Sequence, residues 1–149
     1  MIGRSGDVGL VLWHGDPTLA ANRWLLGHIV SARRAGHPYR IGLQLIAEQA
    51  PLPDAETRRF VQAMFKEELP HIHRFINAPL GDSMKQSLVR TVLRGMAMIS
   101  DKSRAVVIAS TLEEALDMAS AVASAETPPR SVLRRTVDEM FALAALQPR

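Results

Sequence analysis

Four short apolar runs along the chain each lead into a longer segment whose apolar residues recur at helical spacing. Several of these runs are rich in β-branched residues, which is typical of buried strands. In the second run, Gln44 faces away from the apolar residues that alternate around it. The predicted strands cover residues 8–13, 39–47, 73–77 and 104–109. Because strands that alternate with helices favour a parallel sheet, we predict an α/β fold with a four-stranded, mainly parallel sheet flanked by helices.

Capping residues mark where the first three predicted helices begin. The predicted N-caps are Asp16 for the first helix, Asp54 for the second, and Asp82 or Ser83 for the third. Pro17 follows the first cap at a position that proline favours, and Gly36 ends that helix.

The last part of the chain carries a fourth helix, a proline-containing break and a final helix. Two overlapping capping boxes open the fourth helix, in which Ser110 pairs with Glu113 and Thr111 with Glu114. We predict an α/β domain over residues 1–123, a linker over 124–130 and a C-terminal helical extension over 131–149. The extension either covers an open face of the sheet or packs against another subunit.

Composition places the chain among ordinary soluble proteins. It has 149 residues, of which 47% are apolar and 22% charged, and this length is large enough for one domain with a real core. The absence of cysteine excludes disulfides, thiolate metal sites and cysteine nucleophiles. Residues 1–7 carry a charge of each sign and no apolar core, and no apolar run approaches the roughly 20 residues of a membrane span. We therefore expect a cytoplasmic protein that does not enter membranes.

The basic excess is small. The chain has 18 Lys and Arg against 15 Asp and Glu, which gives a formal charge of +3. Nucleic-acid binding needs a concentrated basic face, and only Arg130, Arg134 and Arg135 on the final helix are candidates for one. No aromatic residue interleaves these arginines, so we do not expect nucleic acid to be a partner.

Polar residues follow the predicted strands at the edge where ligands of parallel sheets collect. A small-ligand-binding or enzymatic domain would use the strand-end crevice formed by His14, Asp16, Asn77, Asp82 and Ser83. His14 and Asp16 would then form an acid–base pair, and the third helix start would attract an anion. Helix capping is the simpler explanation of these residues, and no glycine-rich phosphate loop accompanies them.

A pair of histidines and two tryptophans complete the candidates. His71 and His73 would share one face of a strand, but no third ligand has a telling spacing, so neither a metal nor any other cofactor is expected. Trp13 and Trp24 are predicted to be buried anchors.

The segment 73–116 resembles the second half of a STAS domain, the fold of bacterial anti-sigma-factor antagonists. The turn Ile76-Asn-Ala-Pro79, a helix, the strand Val106–Ile108 and the helix start Ser110-Thr-Leu-Glu-Glu-Ala-Leu116 follow one another in the order and at the spacing of that family. Two features depart from it. Residues 47–54 contain no serine or threonine where the family carries its phosphorylated serine, and one predicted strand precedes the first long helix where the family has a paired start.

This resemblance implies a non-enzymatic bacterial regulatory or scaffold module that acts through protein contacts and lacks the usual phosphoserine. Its partners would be other proteins, with a second copy of the chain among the candidates. By position, the resemblance places the contact surface at Pro51, Asp54, Arg58 and Arg59. Thr57 is the nearest hydroxyl, and it lies inside the predicted second helix.

Overall fold

The computed structural model describes residues 1–100, 105–122, 124 and 126–145, with the backbone alone for residues 96–100. Within these residues, the strands are β1 (Ile2–Ser5), β2 (Val8–Trp13), β3 (Ile41–Ile46), β4 (Arg74–Pro79) and β5 (Val106–Ile108). The helices are α1 (Leu19–Arg34), α2 (Ala55–Glu68), α3 (Met84–Ser100), α4 (Leu112–Ser120) and α5 (Arg130–Ala145), with a short 3-10 helix (Leu69–His71) after α2.

The strands form one mixed sheet in the order β1-β2-β3-β4-β5. β1 is antiparallel to β2, and the other three neighbouring pairs are parallel. The α/β class is confirmed, but the prediction of four strands is wrong because β1 was missed. β1 has a single large apolar residue, Ile2, and its hydrogen bonds to β2 rather than its own pattern make it a strand. β5 is an edge strand whose residues are only half-buried.

One face of the sheet, which we call the α4–α5 face, is covered by α4 and α5. The strand residues of this face are aliphatic and fully buried: Val8, Leu10, Leu12, Ile41, Leu43, Leu45, Ile76 and Ala78. They pack against the inward side chains of the two helices, which are Ala115, Leu116, Ala119, Leu133, Val137 and Met140. The alternation of β2 and β3 places all of these strand side chains on the same side.

The opposite face, which we call the α1–α3 face, is covered by α1, α2 and α3. It carries larger and more varied strand residues, namely Val11, Trp13, Ile46 and Phe75. Gln44 and Asn77 also lie on this face as register partners in β3 and β4, where residues that pair across parallel strands share a side.

The predicted C-terminal extension packs on β1, β2 and α4, so it covers the sheet of its own chain. The segment that leads into it is held by Asp7, which is fully buried in the turn between β1 and β2. One carboxylate oxygen of Asp7 accepts hydrogen bonds from Ser124 at 2.7 Å and from Thr127 at 3.2 Å. These bonds fix the start of α5 against the first hairpin.

The predicted cap of the first helix is wrong, whereas that of the third helix is confirmed for one of its two candidates. α1 begins with Thr18, whose hydroxyl accepts from the Ala21 amide at 3.2 Å, and Asp16 lies two residues too early to reach the first turn. The third helix is capped by Ser83, which accepts from the Gln86 amide at 3.3 Å.

At α4, one half of the predicted box of Thr111 and Glu114 is confirmed, because the Glu114 amide donates to the Thr111 hydroxyl at 3.1 Å. The second predicted box is wrong. The Ser110 amide donates to the Glu114 carboxylate at 2.6 Å, while Glu113 is engaged by arginines of α5. Among the helices of the described residues, none has both the length and the apolar character that crossing a membrane requires.

Candidate functional site

The five residues predicted to form a strand-end crevice lie in different environments. Asn77 is 1% exposed within β4 on the α1–α3 face, whereas Asp16 and Asp82 are exposed to solvent. His14 and Ser83 are half-buried, and Ser83 serves as the cap of α3. All five belong to the described part of the chain, and no side-chain hydrogen bond joins any two of them. An acid–base role for His14 and Asp16 therefore stays a prediction without a hydrogen-bonded arrangement behind it.

The residues predicted for partner contact cluster at the beginning of α2. We call Pro51, Asp54, Arg58 and Arg59 the α2-start surface; all are exposed except Arg58, which is half-buried. The Asp54 carboxylate caps the helix by accepting from the Thr57 amide at 2.7 Å, as predicted. This hydrogen bond to the charged form lowers the pKa of Asp54 below its ordinary value.

The two arginines of this surface are anchored to the backbone of the same turn. Arg58 donates from one terminal nitrogen to the Pro53 carbonyl at 2.7 Å, and Arg59 donates from Nε to the Ala55 carbonyl at 3.3 Å. Both guanidinium groups are thereby held beside the helix start, with further N–H donors left for an incoming partner.

The remaining candidates are the two histidines and Trp24. His71 and His73 are both exposed on either side of Ile72, and the described residues hold no group of three or more His, Asp or Glu side chains suited to a metal ion. Trp24 is 62% exposed, so its prediction as a buried anchor is wrong. Its neighbour Leu25 takes the inward position on α1, and the indole stacks instead on His28 at a centroid distance of 5.7 Å.

Two of the three α5 arginines considered for nucleic-acid binding are engaged by carboxylates, while Arg135 is exposed. Arg130 pairs with Asp117 at 2.6 Å and with Glu113, and Arg134 pairs with Asp138 at 2.9 Å and with Glu113. Hydrogen bonds to Asp117 and Glu113 raise the pKa of Arg130, and those to Asp138 and Glu113 contribute to the raised pKa of Arg134. These two cations tie α5 to α4 and do not form an unpaired basic face.

A cleft that the sequence did not predict lies between the α1–α3 face and the three helices that cover it. We call it the α1–α3 cleft, and its volume is about 70 Å³. Its walls are mainly apolar and include Leu25, Ile46, Met64, Phe65, Val89 and Leu93. Trp13 and Ile46, the last residues of β2 and β3, place it at the carboxyl ends of these parallel strands, and residues 51–53 form its rim next to the α2-start surface.

Three uncharged polar side chains line the cleft and offer unused hydrogen-bonding groups. Trp13 Nε1 is buried without a hydrogen-bond partner. Gln44 is half-buried, and its amide has no partner among the described residues. Asn22 is 4% exposed and donates to the carbonyls of Pro17 and Thr18 at 3.0 and 2.9 Å, which leaves its Oδ1 as an acceptor. Arg58 is the one charged residue among the described residues of the lining.

The sequence held one signal for this site. Gln44 lies in the middle of the second predicted strand, and a sheet with helices on both faces shields a polar residue there from most of the solvent. Trp13 and Asn22 gave no such signal, since each also fits an ordinary buried position.

No family model, curated protein or solved structure matches this chain.

Proposed function

We propose that this protein is a non-enzymatic regulatory module, similar to STAS domains, that binds a protein partner through the α2-start surface. The observation that carries the proposal is the paired start formed by β1 and β2. The sequence alone offered one strand before the first long helix, and the family has two. With this hairpin, the order of elements from β1 through α4 supports the likeness to STAS domains. The likeness then extends beyond the segment 73–116 that carried it in the sequence.

The chemistry of the α2-start surface supports a protein partner. Asp54, Arg58 and Arg59 lie within two turns of one another and make no ion pair with any described residue. Charged groups of both signs on an exposed helix start favour a partner of complementary pattern and speed its association at low salt. The surface is thus suited to selective binding.

A phosphorylation switch does not belong to this proposal. Thr57, the nearest hydroxyl to the position of the family's phosphoserine, is 1% exposed. Its amide is also the donor to the Asp54 cap. A kinase would have to open the first turn of α2 to reach this side chain, so we expect partner binding without phosphorylation at Thr57.

The test is a quantitative pull-down from a lysate of the source organism with tagged protein, read by mass spectrometry. The variant reverses two charges, Arg58→Glu with Arg59→Glu, and the matched control is Arg34→Glu with Arg135→Glu, which reverses two exposed arginines elsewhere. Circular dichroism checks that both variants are folded.

We expect the control to retain the same proteins as the parent and the α2-start variant to lose at least one of them by about tenfold or more, since loss of a charge-assisted contact is worth that much. If the α2-start variant retains every partner of the parent, the surface is not the binding site. A bound protein that is a second copy of the chain would identify the partner as the protein itself.

A further inference from the structure

We infer that the α1–α3 cleft is a binding site for a small carboxylate with an aromatic ring or a branched aliphatic body. This inference goes beyond the partner-binding proposal, and the two share Arg58, which belongs both to the α2-start surface and to the lining of the cleft. Binding of a small molecule in the cleft is tested without any protein partner, so the two proposals can fail separately.

The size and walls of the cleft define the body of the ligand. A volume of about 70 Å³ is about half of the roughly 150 Å³ apolar cavity that holds a benzene ring, so the cleft encloses part of a ring or a short branched chain and the rest of the ligand lies at the rim. The walls are supplied by three helices and two strands, and most of their side chains are aliphatic or aromatic. An apolar ligand gains by leaving water for such walls, and the surrounding elements form the cleft without it.

The polar groups on the floor of the cleft indicate which atoms a ligand must supply. Trp13 is 9% exposed, and its Nε1, which can only donate, is buried without an acceptor. Folded proteins seldom leave a buried donor unpaired, and an acceptor oxygen of a ligand would satisfy it. Gln44, in the central strand beside it, is half-buried and offers an amide that has no protein partner among the described residues.

The charge of the lining selects an anion. Arg58 is its one charged residue, and no acidic side chain is present among the described residues of the lining. One terminal nitrogen of Arg58 is held by the Pro53 carbonyl at 2.7 Å, which leaves Nε and the other terminal nitrogen for a ligand at the rim. Guanidinium groups bind carboxylates through two parallel hydrogen bonds, so a carboxylate matches this group in charge and shape.

The probe for the test is benzoate, with benzamide as the neutral molecule of the same shape. Trp13 and Trp24 are the two tryptophans of the chain, so the ¹⁵N-labelled protein has two indole N–H signals. The Trp24→Phe variant assigns them, because Trp24 is exposed outside the cleft. We expect benzoate to move the Trp13 signal saturably and to leave the Trp24 signal in place.

Two variants separate a carboxylate site from general apolar binding. Arg58→Gln should weaken benzoate binding by about tenfold and leave benzamide binding unchanged, because only the charged hydrogen bonds are lost. The matched control, Lys66→Gln, removes one exposed cation from the same helix outside the cleft and should change neither. Benzamide itself should bind the parent about tenfold more weakly than benzoate.

Three results would overturn the inference. A Trp13 signal that does not move with benzoate excludes the cleft as the site. Equal affinities for benzoate and benzamide exclude selection of a carboxylate. Equal benzoate affinities in Arg58→Gln and Lys66→Gln exclude the assigned role of Arg58.

Discussion

The two faces of the sheet differ in the polarity of the strand residues that they bury. On the α4–α5 face, the core residues of β2, β3 and β4 are aliphatic and 0% exposed. On the α1–α3 face, the same strands carry Asn77 and Trp13, whose buried side-chain atoms have no partner among the described residues, and the half-buried Gln44. Apolar packing that excludes water favours folding, whereas unpaired polar groups oppose it. The comparison indicates that one face provides stability and the other is shaped for binding.

The largest expected effect comes from truncating a core side chain on the α4–α5 face. Leu43→Ala removes a fully buried side chain from the central strand, and we expect a loss of about 2–5 kcal/mol in the free energy of unfolding. Leu93→Ala truncates a half-buried residue that lines the cleft, where the loss should be about 1 kcal/mol. Urea denaturation measures both. Equal losses would remove the distinction between the two faces.

The second prediction concerns the contact that holds the start of α5 against the first hairpin. Gly6 has a φ of +57°, and a Cβ there would overlap the backbone oxygen of Glu126. Gly36 has a φ of +81° with open space around it, so Gly36→Ala measures the conformational strain alone. We expect Gly36→Ala to cost about 1–2 kcal/mol and Gly6→Ala to cost a further 1–3 kcal/mol, roughly, from the overlap.

The measurement is again the free energy of unfolding, accompanied by proteolysis to detect release of α5. If Gly6→Ala is no worse than Gly36→Ala, the segment around Glu126 does not hold α5 against the first hairpin.

The third and smallest effect is a pH dependence at the start of α2. Because the folded-state pKa of Asp54 is lowered, its contribution to stability is fully present above the ordinary pKa and is lost as the pH falls through the folded value. Asp54→Ala should therefore be less stable than the parent near neutral pH, with the difference shrinking from about pH 5 to about pH 2.

Unfolding followed by circular dichroism over this range checks the prediction for Asp54. Thr111→Ala is the control, since the Thr111 hydroxyl caps α4 without titrating. A difference between Asp54→Ala and the parent that stays constant with pH would show that the carboxylate does not act through its charge.

The sequence was sufficient for the parts of the fold that depend on local pattern. The alternation around Gln44 and the capping residues Asp54 and Thr111 predicted β3, α2 and α4 at nearly their true positions. Local pattern failed where pairing decides the structure. β1 has little apolar character of its own, and the choice between Asp16 and Thr18 as cap depends on which side chain reaches the amide of the first turn.

The candidate site was harder to predict than the fold. The α2-start surface was predicted from a resemblance. Its residues lie close together in the structure because they lie close together in the sequence. The α1–α3 cleft joins Trp13, Gln44 and Arg58, which are separated by many residues and meet only when the helices cover the sheet. Its one sequence signal, Gln44, becomes meaningful after both faces of β3 are known to be covered.

The difference between the faces is tested most directly by the free energy of unfolding of Gln44→Leu, measured in urea with and without benzoate. Because the variant replaces a half-buried amide that has no protein partner among the described residues with an apolar side chain, it should be about 1 kcal/mol more stable than the parent without benzoate. The parent should gain about 1.4 kcal/mol from free benzoate at about ten times its Kd, and the variant should gain much less. A variant that is less stable than the parent, or that gains as much from benzoate, would contradict the assignment of the α1–α3 face to binding.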